Sequence, residues 1–218
     1  MTTMTTALVV DDTTVMRHSL PLLMPTIDFV GSYPHVEGLL AERRAADVVI
    51  LDLHLVNAAQ PGIRQGVSAI RTLVDAGYRV CAYTQEERRF VLAACLAAGA
   101  SGVVAKTAGL AEAAEAFEQV AAGEVVIPLP LVGLVEALVR RRSVTLLSPR
   151  QREVLSGRAR GMTYAELARR MFLSEATLRG YWADLCRVVS SYLQEAAPGD
   201  LEHALGLGPG DLVDYWPS

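Results

Sequence analysis

Through the first 127 residues, short apolar runs alternate with longer stretches whose apolar positions recur at helical spacing. The runs are ALVV (7–10), FVGSY (29–33), DVVIL (47–51), RVCAYT (79–84) and SGVVAK (101–106), with FVGSY the weakest. Between them stand VMRHSLPLLM, HVEGLLAERR, GVSAIRTLVDAG, ERRFVLAACLAAG and GLAEAAEAFEQVAAG. Strands separated by helices of about 10–15 residues predict parallel pairing through right-handed crossovers. The pattern therefore predicts an α/β unit, a five-stranded doubly wound parallel sheet covered on both faces.

Beyond residue 145 the periodicity is helical only. LSPRQREVL opens with Ser148 as N-cap, Pro149 at the first helical position and Gln151 closing a capping box. Thr163 and Glu166 form a second box, and Ser174 caps a third helix after the short MFL connection. Two helices joined by so tight a turn predict a helix-turn-helix. Along the third helix, Leu178, Tyr181 or Trp182, Leu185 and Val188 or Val189 form an inward stripe. Glu175, Ala176, Arg179, Gly180, Ala183 and Arg187 are left outward.

Composition sharpens this division. The chain has 218 residues and 51% hydrophobic content, enough for one large or two small cores. Its net charge of −4 hides a gradient: residues 1–139 hold 9 basic against 15 acidic groups, residues 140–192 hold 11 against 4, and residues 193–218 hold none against 5. A block of +7 between blocks of −6 and −5 suggests a nucleic-acid module joined to another unit. The opening MTTMTTALVV has no basic n-region and its apolar run is cut by two aspartates, so no signal peptide or membrane span is expected and the location is read as cytoplasmic. Cys81, Cys95 and Cys186 lack C-x-x-C spacing and read as buried thiols.

Candidate chemistry sits at the strand ends. In a parallel sheet the carboxyl ends share one edge, where ligands bind. Asp11 and Asp12 follow the first run, Asp52 the third, Thr84 the fourth and Lys106 the fifth. One aspartate at a strand end needs only water to explain it, but these five polar groups converge from four strands. Carboxylates packed together repel unless a cation lies among them, and oxygen donors of this kind suit Mg²⁺. An anion linked to Asp52 would then find the cation, the Lys106 ammonium and the Thr84 hydroxyl on different sides.

The ordered series VVDD, LDL, AYT and VVAK resembles the receiver domain of two-component response regulators, with a flavodoxin-like fold, over roughly residues 5–127. The resemblance implies that Asp52 accepts a phosphoryl group from a sensor histidine kinase. It also implies that Asp12 and Asp52 bind Mg²⁺ directly, Asp11 through water, and the His54 backbone carbonyl completes the set, with Thr84 and Lys106 attending the phosphoryl group. The segment holding LSPRQREVL and GMTYAELARRMFLSEATLRGY resembles the LuxR-type DNA-binding domain of the NarL/FixJ response regulators. In that family the helix starting at Ser174 enters the major groove, and the positions of Arg179, Gly180 and Ala183 face the bases. Arg179 is then the expected guanine reader, with Arg169, Arg170 and Arg187 on phosphates and Thr163, Ser174 and Thr177 also at the DNA face.

The expected organisation is a receiver at 1–127, a linker helix and linker at 128–144 including VRRRSV, the helix-turn-helix domain at 145–192 and an acidic extension at 193–218. The resemblance further implies a homodimer on double-stranded DNA, with RNA polymerase as a further partner, no membrane association and no enzymatic activity beyond the receiver's own phosphoryl transfer and dephosphorylation. Two alternatives stay open: a receiver that controls DNA binding without phosphorylation, by dimerisation or ligand sensing, and an adaptor whose helical module binds protein. Three features depart from the family. The loop LHLVNAAQPGIRQ after Asp52 is long, Gln85 follows Thr84 where a small residue is usual, and Val103 replaces a frequent aromatic. The tail, with PGDL at 198 and again at 209, is expected to form two short helices packed on the helix-turn-helix, as structural cover or as an acidic competitor for its basic face.

Overall fold

The structure is a computed structural model that describes residues 4–55, 64–140 and 147–212. Five parallel strands, β1 (Thr5–Val10), β2 (Ile27–Tyr33), β3 (Val48–Leu51), β4 (Val80–Thr84) and β5 (Gly102–Ala105), form one sheet in the order β2-β1-β3-β4-β5. The five helices between and after them are α1 (Thr14–Leu23), α2 (Val36–Glu42), α3 (Gly66–Asp75), α4 (Arg89–Ala97) and α5 (Leu110–Ala121). All five expected strands are present, FVGSY included.

Alternation along each strand splits the core into two layers. Ala7, Val9, Val48, Ile50, Cys81, Tyr83 and Val104 face α1 and α5, where Leu20, Met24, Phe117 and Val120 close over them. Leu8, Val10, Val49, Leu51, Val80, Ala82 and Val103 face the opposite way, toward α2, α3 and α4. Because both faces are covered, the strands carry apolar residues at nearly every position. Gly102 packs tightly within the sheet: a Cβ there would come within 2.6 Å of Val120 Cγ2 and 3.1 Å of Cys81 Sγ.

The helical half consists of α6 (Leu129–Arg140), α7 (Pro149–Ala159), α8 (Tyr164–Met171), α9 (Glu175–Glu195) and α10 (Pro198–Leu205). Both capping boxes form, Ser148 with Gln151 and Thr163 with Glu166, and the Ser174 hydroxyl accepts the Thr177 N–H. α7, α8 and the start of α9 enclose a small core of Val154, Leu167, Met171 and Leu178. Further along α9, Leu185, Cys186, Val189 and Leu193 join the layer beside the sheet instead, against α4, which also packs on α6. Cys81, Cys95 and Cys186 are all buried free thiols.

The tail corrects two expectations. Its first PGDL does start a helix, α10, but Ala197 is the N-cap and no side chain caps it; α10 packs on α6. The second PGDL forms a turn, in which Asp211 Oδ2 accepts the Gly208 N–H at 2.8 Å. The physical reason is Glu202, buried at 6% exposure, whose carboxylate accepts the N–H groups of Gly210 at 3.0 Å and Leu212 at 2.8 Å and folds the chain back before a second helix can start. The VRRRSV linker beyond Arg140, the middle of the long loop after Asp52, and Val213, Tyr215 and Trp216 lie outside the described residues. Removing the Glu202 acceptor strands two backbone donors, so Glu202→Ala should cost about 1–3 kcal/mol in chemical denaturation. A change below about 0.5 kcal/mol would show that this staple contributes nothing beyond a surface substitution.

Candidate functional site

The ladder of backbone hydrogen bonds carries each polar residue one step past its strand and holds it there. The Asp11 N–H donates to Tyr33 O (3.1 Å), the Asp52 N–H to Val10 O (2.8 Å) and the Lys106 N–H to Thr84 O (2.8 Å). β1 and β3 are neighbours although β2 lies between them in sequence, so their ends form the crevice where strand order reverses. Asp11 and Asp52 face each other across it, at 2% and 8% exposure.

Lys106 closes this crevice. Its Nζ donates to Asp11 Oδ2 at 2.8 Å and to Asp52 Oδ2 at 2.9 Å, and it also lies 5.9 Å from the centre of the Tyr83 ring. Burial alone lowers the lysine pKa, but the hydrogen bonds and charges of the two carboxylates outweigh it and raise the value above the usual one. Asp11 Oδ1 accepts the Thr13 N–H at 2.8 Å. The β1–α1 turn is also held by Arg17, whose Nη1 donates to the backbone carbonyls of Asp11 (2.6 Å) and Asp12 (2.9 Å). Sequence reasoning missed Arg17; its one signal is a basic residue within the first helical turn after the aspartate pair.

Asp11, Asp12 and Asp52 place carboxylate oxygens within 4.8 Å of one another. Hard oxygen donors in that cluster fit a small divalent cation. His54 is exposed, two residues beyond Asp52. Thr84 is fully buried, and its hydroxyl accepts the Glu86 N–H at 3.1 Å, tying β4 to the start of the next loop. Glu86 is itself pinned: its hydrogen bonds to the Arg88 side chain hold its carboxyl down to about 2 against the desolvation that would raise it.

At the other candidate site, Arg169 and Arg170 are exposed in the last turn of α8, Thr163 and Ser174 cap α8 and α9, and Ser174 Oγ lies 2.8 Å from Thr177 Oγ1. Arg179 pairs with Glu175 at 3.4 Å, and Arg187 pairs with Asp184. Gly180 has open space where a side chain would stand. Arg179 and Gly180 are exposed and Ala183 is half-buried. They line a cleft of about 640 Å³ whose opposite wall is Thr107 and Ala108, just after Lys106, with Glu112 and Glu115 of α5. Among the described residues, no helix is long and apolar enough to cross a membrane.

Comparison with known proteins places these features. A family described as bacterial regulatory proteins, luxR family, matches residues 145–187. The chain is 30% identical over 183 residues to the DNA-binding transcriptional activator DevR/DosR of Mycobacterium tuberculosis, covering 79% of this chain and 82% of that protein. It is 28% identical over 187 residues to the nitrate/nitrite response regulator protein NarL of Escherichia coli, covering 80% and 84%. Its fold is similar to that of the two-component response regulator RcsB solved with DNA, with a TM-score of 0.53 at 19% identity over 94% of this chain and 98% of that one.

The ammonium of Lys106 stabilises the fold fully below its unfolded-state pKa, about 10.4, and that contribution fades as pH climbs through the raised folded value. Lys106→Met should therefore cost about 1.5–3 kcal/mol at pH 7, the worth of hydrogen bonds to charged groups. The gap to wild type should narrow above about pH 10.5, which urea denaturation of both proteins at pH 7 and pH 11 would measure.

Proposed function

Since the chain belongs to the response regulators that carry a LuxR-type DNA-binding domain, transcription regulators of two-component systems, we propose that Asp52 is its phosphoacceptor and that phosphorylation governs access of α9 to DNA. The observation that carries this reading is the Lys106 ammonium spanning Asp11 and Asp52 in a crevice that opens at the strand ends. A carboxylate held there by its own backbone N–H is aligned for attack, and phosphoryl transfer asks mainly for alignment and charge neutralisation. The Asp52 oxygen forms its bond to phosphorus as the bond to the kinase histidine breaks. Asp12 and Asp52, with Asp11 through water and the His54 carbonyl, would hold Mg²⁺, which when bound neutralises charge on the transferred group. Lys106 would pair with one phosphoryl oxygen and the Thr84 hydroxyl, turned from Glu86, with another.

The units implied are a receiver over 1–127, a linker over 128–144, a DNA-binding domain over 145–192 and an extension over 193–218. The cleft supports the regulatory half of the proposal. A major groove admits a helix only when its reading face is clear, and Arg179, Gly180 and Ala183 line the same cleft as Thr107, Ala108, Glu112 and Glu115. Thr107 and Ala108, which follow Lys106 in the chain, are placed to respond when what Lys106 binds changes. The free form then reads DNA poorly, and a sensor kinase, RNA polymerase and a second copy of the chain are its protein partners in the cytoplasm. One α9 offers few base contacts, which favours a dimer on two half-sites about one helical turn, or a small multiple, apart.

Mass spectrometry after incubation with Mg²⁺ and acetyl phosphate should show one acid-labile phosphoryl group on the wild type and none on Asp52→Asn. Equal labelling of both removes the assignment. Lys106→Ala should still label but should transmit less of the change to DNA binding. On the DNA side, Arg179→Ala should cost about 1–3 kcal/mol on a specific site and relax preference at one base pair, whereas Arg170→Ala should weaken all sequences alike and flatten the salt dependence.

A further inference from the structure

Tyr164, the first residue of α8, carries two guanidinium groups over its ring: that of Arg158 from α7 at 4.8 Å from the ring centre and that of Arg179 from α9 at 4.6 Å. The ring cannot move to suit them. It is half-buried against the core of Val154, Leu167, Met171 and Leu178, and burial raises its hydroxyl pKa. Arg158 is anchored too, with Nη1 donating to Met162 O at 2.9 Å and its guanidinium 5.9 Å from the Trp182 ring. Arg179 is the more exposed partner: its side chain is 57% exposed, and its ion pair to Glu175 is 3.4 Å long.

From these contacts we infer that Tyr164 is a positioning residue for base recognition, a fixed ring face that orders the Arg179 side chain before DNA arrives. A free arginine on a helix surface samples many rotamers, and immobilising it at an interface reduces affinity. A guanidinium seated on a ring face keeps its in-plane N–H edge free, the edge that meets O6 and N7 of guanine. The Glu175 carboxylate draws the same side chain along α9, so ring and carboxylate together define its direction, while the ring alone supplies a contact that water does not screen. The inference rests on Arg179 being the base reader, and it assigns to the residue after the Thr163 cap a part in specificity rather than in folding alone.

The test uses the full chain incubated with Mg²⁺ and acetyl phosphate, the form in which α9 is proposed to reach DNA, and two duplexes, one enriched by the wild type from a random-sequence library and one of unrelated sequence. Tyr164→Phe keeps the ring and should bind both duplexes within about twofold of wild type. Tyr164→Leu should lose about two- to tenfold on the enriched duplex, the scale of ordering one arginine, and less than about twofold on the unrelated one. Combined with Arg179→Ala, it should add no further loss, because the residue it serves is gone. Thermal melting runs alongside, and Tyr164→Met replaces the leucine variant if that one does not fold, since methionine fills irregular space. Equal losses on both duplexes, a loss that persists in the Arg179→Ala background, or no loss at all would each overturn the role of Tyr164. If the wild type enriches no sequence, or Arg179→Ala costs nothing, the base reading itself fails and this inference falls with it. A loss for Tyr164→Leu beside an undiminished Arg179→Ala separates that failure from the others.

Discussion

One helix, α9, has to bury two different surfaces, and the arrangement of the whole chain follows from that demand. Leu178 near its start belongs to the small core with Val154, Leu167 and Met171, while Leu185, Cys186, Val189 and Leu193 lie in the apolar layer shared with α4 and α6. A helix-turn-helix of this size encloses too little apolar surface to hold 21 residues of α9 unaided. The second surface completes the fold and also holds Arg179, Gly180 and Ala183 along the cleft they line with Thr107, Ala108 and α5. Exposing four such side chains would cost on the order of 1.5–3 kcal/mol each. Rearrangement around one lysine supplies about 1.5–3 kcal/mol. Any change that frees Arg179, Gly180 and Ala183 must therefore keep the Leu185–Leu193 contact or replace it, as a second copy of the chain would.

The strand-end site obeys the opposite logic, in which charge rather than apolar area sets the geometry. Asp11 and Asp52 are nearly removed from water, and such carboxylates close together are costly unless a cation answers them. In the present structure Lys106 is that cation, taking Oδ2 of each. A phosphoryl group on Asp52 would use an oxygen that the ammonium now holds and offer it others in return. The same lysine stabilises the resting crevice and, on the proposed phosphorylation of Asp52, would register its occupation. Arg17 belongs to this account although it touches no carboxylate: by taking the carbonyls of Asp11 and Asp12 it fixes the turn from which both side chains project.

Most of the fold was legible because its periodicities are strong. Runs such as VVIL and VCAYT are buried throughout, and a doubly wound sheet is the arrangement that buries both faces of a parallel sheet. The strand-end residues were legible for the same reason, since a residue just after a buried run must sit at the sheet's edge. What escaped the sequence was pairing between side chains from distant segments. Nothing in TYAEL announces that Arg158 and Arg179 will share the Tyr164 ring, and nothing in GDLEHAL announces that Glu202 will turn inward and collect two N–H groups from the residues beyond it. The second expected tail helix failed on that point: a local capping signal lost to a buried acceptor that offered the same backbone groups a better-shielded bond.

Charge in the helical half illustrates why the free structure does not display its basic face openly. Arg150, Arg179 and Arg187 are each paired with an acidic residue three or four positions away on the same helix, to Glu153, Glu175 and Asp184. Exposed pairs of this kind are worth only about 0.2–1 kcal/mol and weaken with salt. A DNA phosphate brings a denser charge and releases counterions as it is neutralised, so an arginine such as Arg187 can exchange a weak partner for a stronger one at little cost. The pairs therefore do not subtract from the basic block as a DNA surface. They keep long side chains ordered and mutually separated while the cleft is closed, and Arg169 and Arg170, exposed at the end of α8, carry the open positive charge by which a phosphate backbone would first be met.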